Sequence, residues 1–188
     1  PYLFVHVSRW LNPFCAYYME AYGKGGVKAH GVNAEALVNL TRLYWYTVEV
    51  GLSRQNGELR IYGSCILSSK GESIHCLESP APNRIGFDLK RIMKTRYRID
   101  TYQKTYFVID SFEQLMDATR PDFCAIYTEL AAQPSIPAGY VRDVAPVFYR
   151  GAGEGGSGRT TRSGRAGRAG RRMAVAWTPA LRSTIWRA

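Results

Sequence analysis

The composition of this chain breaks at Gly151, and the break limits what can fold to the residues before it. From there to Ala188 the sequence is built of Gly, Arg, Ser and Ala, with eight arginines (Arg159, Arg162, Arg165, Arg168, Arg171, Arg172, Arg182, Arg187) against one acid, Glu154. That stretch carries +7 of the chain's net +10. It has no periodic apolar face until Met173–Trp186, which is short and interrupted by Pro179. A segment so poor in apolar residues cannot bury enough surface to offset its ordering entropy, so 151–188 is expected to be disordered. Residues 1–150 have an ordinary charge balance, which places the basic character in the tail and not in a folded nucleic-acid-binding domain. The tail itself lacks the interleaved aromatics that base stacking uses. It reads first as GC-rich coding sequence translated out of frame, and otherwise as a solvated or polyanion-binding tail.

Hydrophobic residues make up 46% of the chain, enough for one domain with a true core. The four cysteines, Cys15, Cys65, Cys76 and Cys124, have spacings that match neither a zinc pattern nor a compact disulfide framework. Reduced thiols and a cytoplasmic location follow as expectations. No apolar run approaches the span of a bilayer, so no membrane role is expected. The sequence opens at Pro1 without an initiator Met, which leads us to expect a piece of a longer protein.

Local signals predict mostly helices joined by short β ribbons. Asn12-Pro13 reads as a helix start, with the helix running to Tyr22, a C-cap at Gly23 and a loop over Gly23-Lys24-Gly25-Gly26. Leu37, Leu40, Tyr44 and Val48 recur at helical period, predicting a helix over Ala36–Val50 with Asn33 as N-cap, Glu35 in its first turn and Gly51 closing it. On an α-helix Trp45 and Glu49, four apart, would share a face. Gln55-Asn56-Gly57 is a turn before a strand at Leu59–Tyr62. Cys65–Leu67 and Ser73–Leu77 are expected as two short strands around Ser69-Lys70-Gly71. Asp88–Lys94 reads as helical and Thr105–Asp110 as a buried strand. Ser111-Phe112-Glu113-Gln114 is a capping box opening a helix, with another from about Asp122 to Ala132 after Pro121.

Glu49 is the residue whose chemistry stands out. It sits among Tyr44, Trp45, Tyr46, Thr47 and Val48, and a carboxylate on so aromatic a helix is costly to bury unless a cation or donor meets it. A metal and an ordinary salt bridge satisfy that demand equally well. Three histidines, His6, His30 and His75, are the only imidazoles. A non-haem iron site commonly uses two of them with one carboxylate.

Several blocks in register give a wider resemblance. Leu43-Tyr44-Trp45-Tyr46-Thr47-Val48-Glu49-Val50-Gly51-Leu52 resembles the helix that supplies the iron-binding glutamate in pterin-dependent aromatic amino acid hydroxylases. Arg60 to Lys70, Asn83 to Leu89 and Arg96 to Phe107 match the same family in order and spacing. Tyr18 to Gly26 resembles its bacterial phenylalanine branch, and the likeness covers roughly residues 6–135. The resemblance implies the C-terminal half of that catalytic fold, mainly α with short β ribbons, over residues 1–150. It implies a reaction in which Fe(II), tetrahydrobiopterin and O2 hydroxylate L-phenylalanine to L-tyrosine.

Residue by residue, the resemblance makes Glu49 the carboxylate ligand and His6 the second histidine of a His-x-x-x-x-His pair. The first histidine would fall on Pro1, and Tyr2–Val5 and Val7–Trp10 also depart from the family pattern. Trp45 would wall the substrate pocket and Tyr44 would lie towards the pterin. Ser68 would support a ligand histidine, and Ser69, Glu72 and Tyr97 would line or support the substrate site. Cys65 stands where the family usually has glycine. Weak iron binding and little turnover are expected. No heptad stretch like the tetramerising helix of animal relatives is present, so a monomer is expected. The rival expectation is a non-catalytic chain whose only activity is binding polyanions through its arginines.

Overall fold

The computed structural model describes residues 13–32, 34–141 and 147–151. His6, Pro1 and the arginine-rich segment beyond Gly151 lie outside the described residues, as does the Asn33 cap. The chain begins with α1 (Pro13–Val32) and α2 (Ala34–Tyr44), and α2 runs directly into a π-helical turn, Trp45–Glu49. A hairpin follows, β1 (Leu52–Gln55) and β2 (Glu58–Ile61), then α3 (Ser64–Ser68), α4 (Lys70–Glu78) and β3 (Asn83–Gly86). The remainder is α5 (Leu89–Lys94), β4 (Thr105–Ile109), α6 (Phe112–Ala118), α7 (Phe123–Ala131) and β5 (Val147–Tyr149). Helices dominate and every strand is short, as the sequence predicts. The strands are not separate ribbons, however. They form one five-stranded sheet in the order β2-β1-β4-β3-β5.

The sheet has a buried centre and a solvated hairpin edge. β4 is buried at all five positions and pairs in parallel with both β1 and β3. β3, a strand the sequence reading left unassigned, is buried at all four positions. Parallel strands covered on both faces are buried in this continuous way. β1 and β2 pair antiparallel through a two-residue turn. Asn56 and Gly57 there have φ of 53° and 80°, the left-handed pair that matches the twist of a hairpin. β5 adds antiparallel to β3.

Three local predictions fail. First, Gly23–Gly26 is not a loop, since α1 continues through it to Val32. A helical glycine costs about 1 kcal/mol relative to Ala. Here Gly25 is buried where α2 and α7 approach, with Leu40, Phe123 and Tyr127 side chains within 4 Å of the space a Cβ would take. The Tyr127 hydroxyl donates to the Gly25 carbonyl at 3.1 Å. Second, the helix expected to reach Val50 is α-helical only to Tyr44. Third, Cys65–Leu67 and Ser73–Leu77 are helices and not strands. Short apolar runs do not separate the two by period. Ser69 decides the second of them by capping α4, its Oγ accepting the Glu72 N–H at 3.2 Å.

The cap expected at Ser111 is present, and the helices expected to begin at Asp88 and about Asp122 are capped by those residues. Asp88, Ser111 and Asp122 accept the N–H groups of Arg91, Gln114 and Cys124. Gln114 reaches back to the N–H of Asp110, one residue before the capping-box position. Arg84 on β3 is 3% exposed and donates to the carbonyls of Cys76, His75 and Ser79, closing the C-terminal end of α4. No helix among the described residues is long and apolar enough to cross a membrane.

Gly63 marks the tightest approach between the π turn and α3. A Cβ there would lie 2.5 Å from the Glu49 carbonyl oxygen and 2.6 Å from the Gly51 nitrogen, both backbone atoms that cannot rotate away. Gly63→Ala is therefore expected to destabilise the fold by about 1–3 kcal/mol, the usual range for overpacking. Urea unfolding of the variant beside the parent checks this, and an unchanged midpoint would contradict the close approach.

Candidate functional site

The site begins with the π turn. Val50 N–H donates to the Trp45 carbonyl at 2.9 Å, an i→i+5 bond that widens the helix by one residue. Side chains take up neighbouring carbonyls: Thr47 Oγ1 donates to Leu43 O at 2.7 Å and Ser64 Oγ to Val48 O at 2.9 Å. Glu49 closes the turn and is 4% exposed. Its Oε2 is 3.2 Å from Ser64 Oγ, so the single hydroxyl proton is shared between this carboxylate and the Val48 carbonyl.

Trp45, at the other end of the turn, builds an aromatic wall. Its indole stacks on Tyr97 with ring centroids 4.8 Å apart and an interplanar angle of 14°. Tyr46 meets the edge of Tyr97 at 6.3 Å and of Phe107 at 5.0 Å, and its hydroxyl donates to Arg96 O at 2.8 Å. The Trp45 indole N–H donates to Gln103 Oε1 at 3.2 Å. Glu72, on α4 and 8% exposed, accepts the Gln103 backbone N–H at 3.3 Å and the Tyr106 hydroxyl on the same oxygen. The Tyr106 phenol is pushed far above the usual range, first by burial and then by its bond to Glu72 and that group's charge, so it serves as a donor.

Trp45, Tyr97 and Glu72, three of the residues singled out from the sequence, therefore converge through Gln103. Ser68 and Ser69 lie at the α3–α4 elbow: Ser68 Oγ donates to Ser64 O at 2.8 Å, and Ser69 caps α4. Tyr44 makes its ring contact with Tyr22 of α1, at 5.3 Å and 50°. Gln103, Ser64 and Tyr106 were not singled out. Gln103 carries the faintest signal, a lone amide in an aromatic and basic string just before a buried strand.

Cys65 lies among the acids. Burial, and then the charges of Glu49 and Glu72, push its thiol above the usual range. Among the described residues no group of three or more His, Cys, Asp or Glu side chains is placed to hold a metal ion. Glu49 alone does not make an iron centre, for which two imidazoles beside one carboxylate are a common set.

The position of Cys65 can be read chemically. The thiolate is the species that alkylates, so a raised thiol pKa slows labelling at pH 8. Cys65 is expected to react with iodoacetamide more slowly than free cysteine, and Glu49→Gln, which removes one of the two charges, to speed it. Mass spectrometry of the Cys65 peptide measures both rates. No acceleration in Glu49→Gln would remove Glu49 from the neighbourhood of the thiol.

Comparison with known proteins gives the site a context. The profile of the biopterin-dependent aromatic amino acid hydroxylases matches residues 4–129. The phenylalanine-4-hydroxylase of Ralstonia nicotianae is 59% identical over 153 residues, which are 81% of this chain and 48% of that protein. That of Chromobacterium violaceum is 62% identical over 144 residues, 77% of this chain and 47% of that protein. The crystal structure of the C. violaceum phenylalanine hydroxylase bound to cobalt aligns with a TM-score of 0.70 at 61% identity, covering 73% of this chain and 49% of that one. The chain thus spans about half the length of the relatives it matches. With most of its described fold and the π turn inside the matched range, the chain belongs to the biopterin-dependent aromatic amino acid hydroxylase family.

Proposed function

We propose that residues 1–150 are a partial catalytic domain of a phenylalanine 4-monooxygenase and that 151–188 form a separate Gly/Arg-rich tail. The observation that carries this reading is the single π turn that bears both Trp45, the wall for an aromatic ring, and Glu49, the buried carboxylate. The relatives' shared name, phenylalanine-4-hydroxylase, supports L-phenylalanine as the substrate. Fe(II) and tetrahydrobiopterin together supply the chemistry that activates O2 in this family.

The chain's own residues have narrower tasks. Trp45 and Tyr97 present stacked faces against which a substrate ring packs. Glu72 fixes the wall from behind through Gln103 and Tyr106. Ser68 and Ser69 shape the elbow next to it, and Tyr44 borders the pterin side. Glu49 and His6 are the proposed ligands. A two-histidine, one-carboxylate centre needs a second imidazole. The position five residues before His6 holds Pro1, which has no ligating side chain. Weak iron binding and little turnover by the chain follow. The proposed enzyme is cytoplasmic and monomeric, and cysteine spacings that match no compact disulfide framework support the first of these.

Anaerobic Fe(II) titration tests this reading. The chain is compared with a Pro1→His version joined to the upstream segment of the C. violaceum relative. Tight binding and tyrosine formation from phenylalanine, O2 and pterin are expected only in the restored version. Glu49→Gln should weaken iron binding there by at least about 100-fold, beyond what outer-shell partners are worth. Ready tyrosine formation by the original chain would overturn the impairment. No iron uptake by either version would overturn Glu49 and His6 as ligands, and polyanion binding lost on deleting 151–188 would then favour a non-catalytic role.

A further inference from the structure

An aromatic stack holds two rings at a fixed separation but leaves them free to turn about their common normal and to slide. The Trp45–Tyr97 stack, at 4.8 Å and 14°, therefore does not by itself fix where the edge of the indole points. Its one polar atom does. The indole N–H can only donate, and it meets Gln103 Oε1 at 3.2 Å.

The amide of Gln103 cannot be turned the other way. Its Nε2 donates to the carbonyls of Arg98 at 2.7 Å and Thr101 at 3.3 Å. Carbonyls accept and never donate, so the NH2 must face them and Oε1 must face Trp45. The main chain of the same residue is held as well. Its N–H goes to Glu72 Oε1 at 3.3 Å, and its carbonyl lies 3.2 Å from His75 Nε2, which must therefore carry the proton. Every hydrogen-bonding group of Gln103 is engaged, and the residue is 5% exposed.

We propose that Gln103 is a positioning residue of the aromatic-ligand pocket, its amide oxygen fixing the in-plane rotation of the Trp45 indole and so the shape offered to a substrate ring. The inference rests on the reading of Trp45 as the pocket wall. Glu72 enters the same device one step back. Its carboxylate holds the backbone of Gln103 and the hydroxyl of Tyr106, so it acts on the pocket through Gln103.

The test uses the full chain labelled with 15N. Its four Trp residues give separate indole resonances, and Trp45 is assigned by the peak that Trp45→Phe removes. In Gln103→Met the Trp45 indole proton is expected to move upfield and exchange faster with water. The affinity for L-phenylalanine should fall about tenfold, the scale of one lost hydrogen bond. Gln103→Glu keeps an oxygen for the indole and loses the two N–H anchors, so it should fall between the parent and Gln103→Met. On a Trp45→Phe background, which has no N–H to receive, Gln103→Glu should change phenylalanine binding no further. An unmoved Trp45 resonance in Gln103→Met overturns the proposal. So does an equal effect of Gln103→Glu with and without the indole, a comparison that stands even where Gln103→Met fails to fold. If the parent chain takes no phenylalanine, the pocket reading fails, and the indole resonance separately decides whether Gln103 holds the ring.

Discussion

The bond from Val50 N–H to the Trp45 carbonyl sets the geometry on which the rest of the site depends. An α-helix carried on to Val50 would have bonded that N–H to Tyr46 instead. Moving it by one residue opens the turn and lets the chain leave the helix at Gly51. The exit is then pinned: the N–H groups of Tyr62 and Gly63 both donate to the Gly51 carbonyl, at 3.2 and 2.9 Å. The hairpin between is thereby closed at its base, and the start of α3 is delivered to the end of the π turn. This is how Ser64, fifteen residues away in sequence, reaches both the Val48 carbonyl and the Glu49 carboxylate. The glycines at 51 and 63 allow it, since a side chain at either would strike backbone or the Tyr62 ring.

What could be read from the sequence and what could not divides along the range of the interactions involved. Ser111 caps its helix by bonding to backbone three residues away, so its signal is local and visible, and the helix starts near Asp88 and Asp122 are legible from residues equally close. Asn56-Gly57 is visible for the same reason, because the turn depends on the φ of those two residues alone. The glycine run at 23–26 depends instead on Leu40, Phe123 and Tyr127, and nothing near it in sequence tells of them. The fate of Ser64–Ser68 is likewise settled by the π turn it packs on. Glu49 was legible as a carboxylate in the wrong company, and the roles of Trp45, Tyr97 and Glu72 came from the family resemblance. Gln103 escaped notice because its importance lies in partners 58 and 31 residues away.

Charge is handled differently in the packing layer and in the site. Lys94 on α5 is nearly buried and is met by Glu35 of α2 at 3.1 Å and by the Leu130 carbonyl of α7 at 3.2 Å, a cation satisfied by an anion and a dipole. Arg84 is satisfied by carbonyl dipoles and by the face of the Tyr149 ring, 5.0 Å from its guanidinium. Glu72 reverses the arrangement, a buried acid met by two neutral donors, Gln103 N–H and Tyr106 O–H. Neutral donors hold a carboxylate in place with directional bonds and bring no opposite charge to it; burial first, then the charges of Glu49 and Glu72, raise the Cys65 thiol.

Two parts of the family's chemistry therefore differ in how much of the chain they need. The aromatic wall is a closed set of contacts. Trp45, Tyr97, Gln103, Glu72 and Tyr106 hold one another through bonds that all fall between residues 45 and 106, and the sheet and α4 support them from behind. The proposed metal centre is not closed in this way: among the described residues Glu49 has no group of ligating side chains around it, and the proposed partner, His6, lies outside them. Loss of an imidazole removes a metal–ligand bond, and leaves the stack and its hydrogen bonds as they were. The stacked wall and the proposed metal centre thus depend on different parts of the chain, and binding and turnover must be measured as separate properties of this protein.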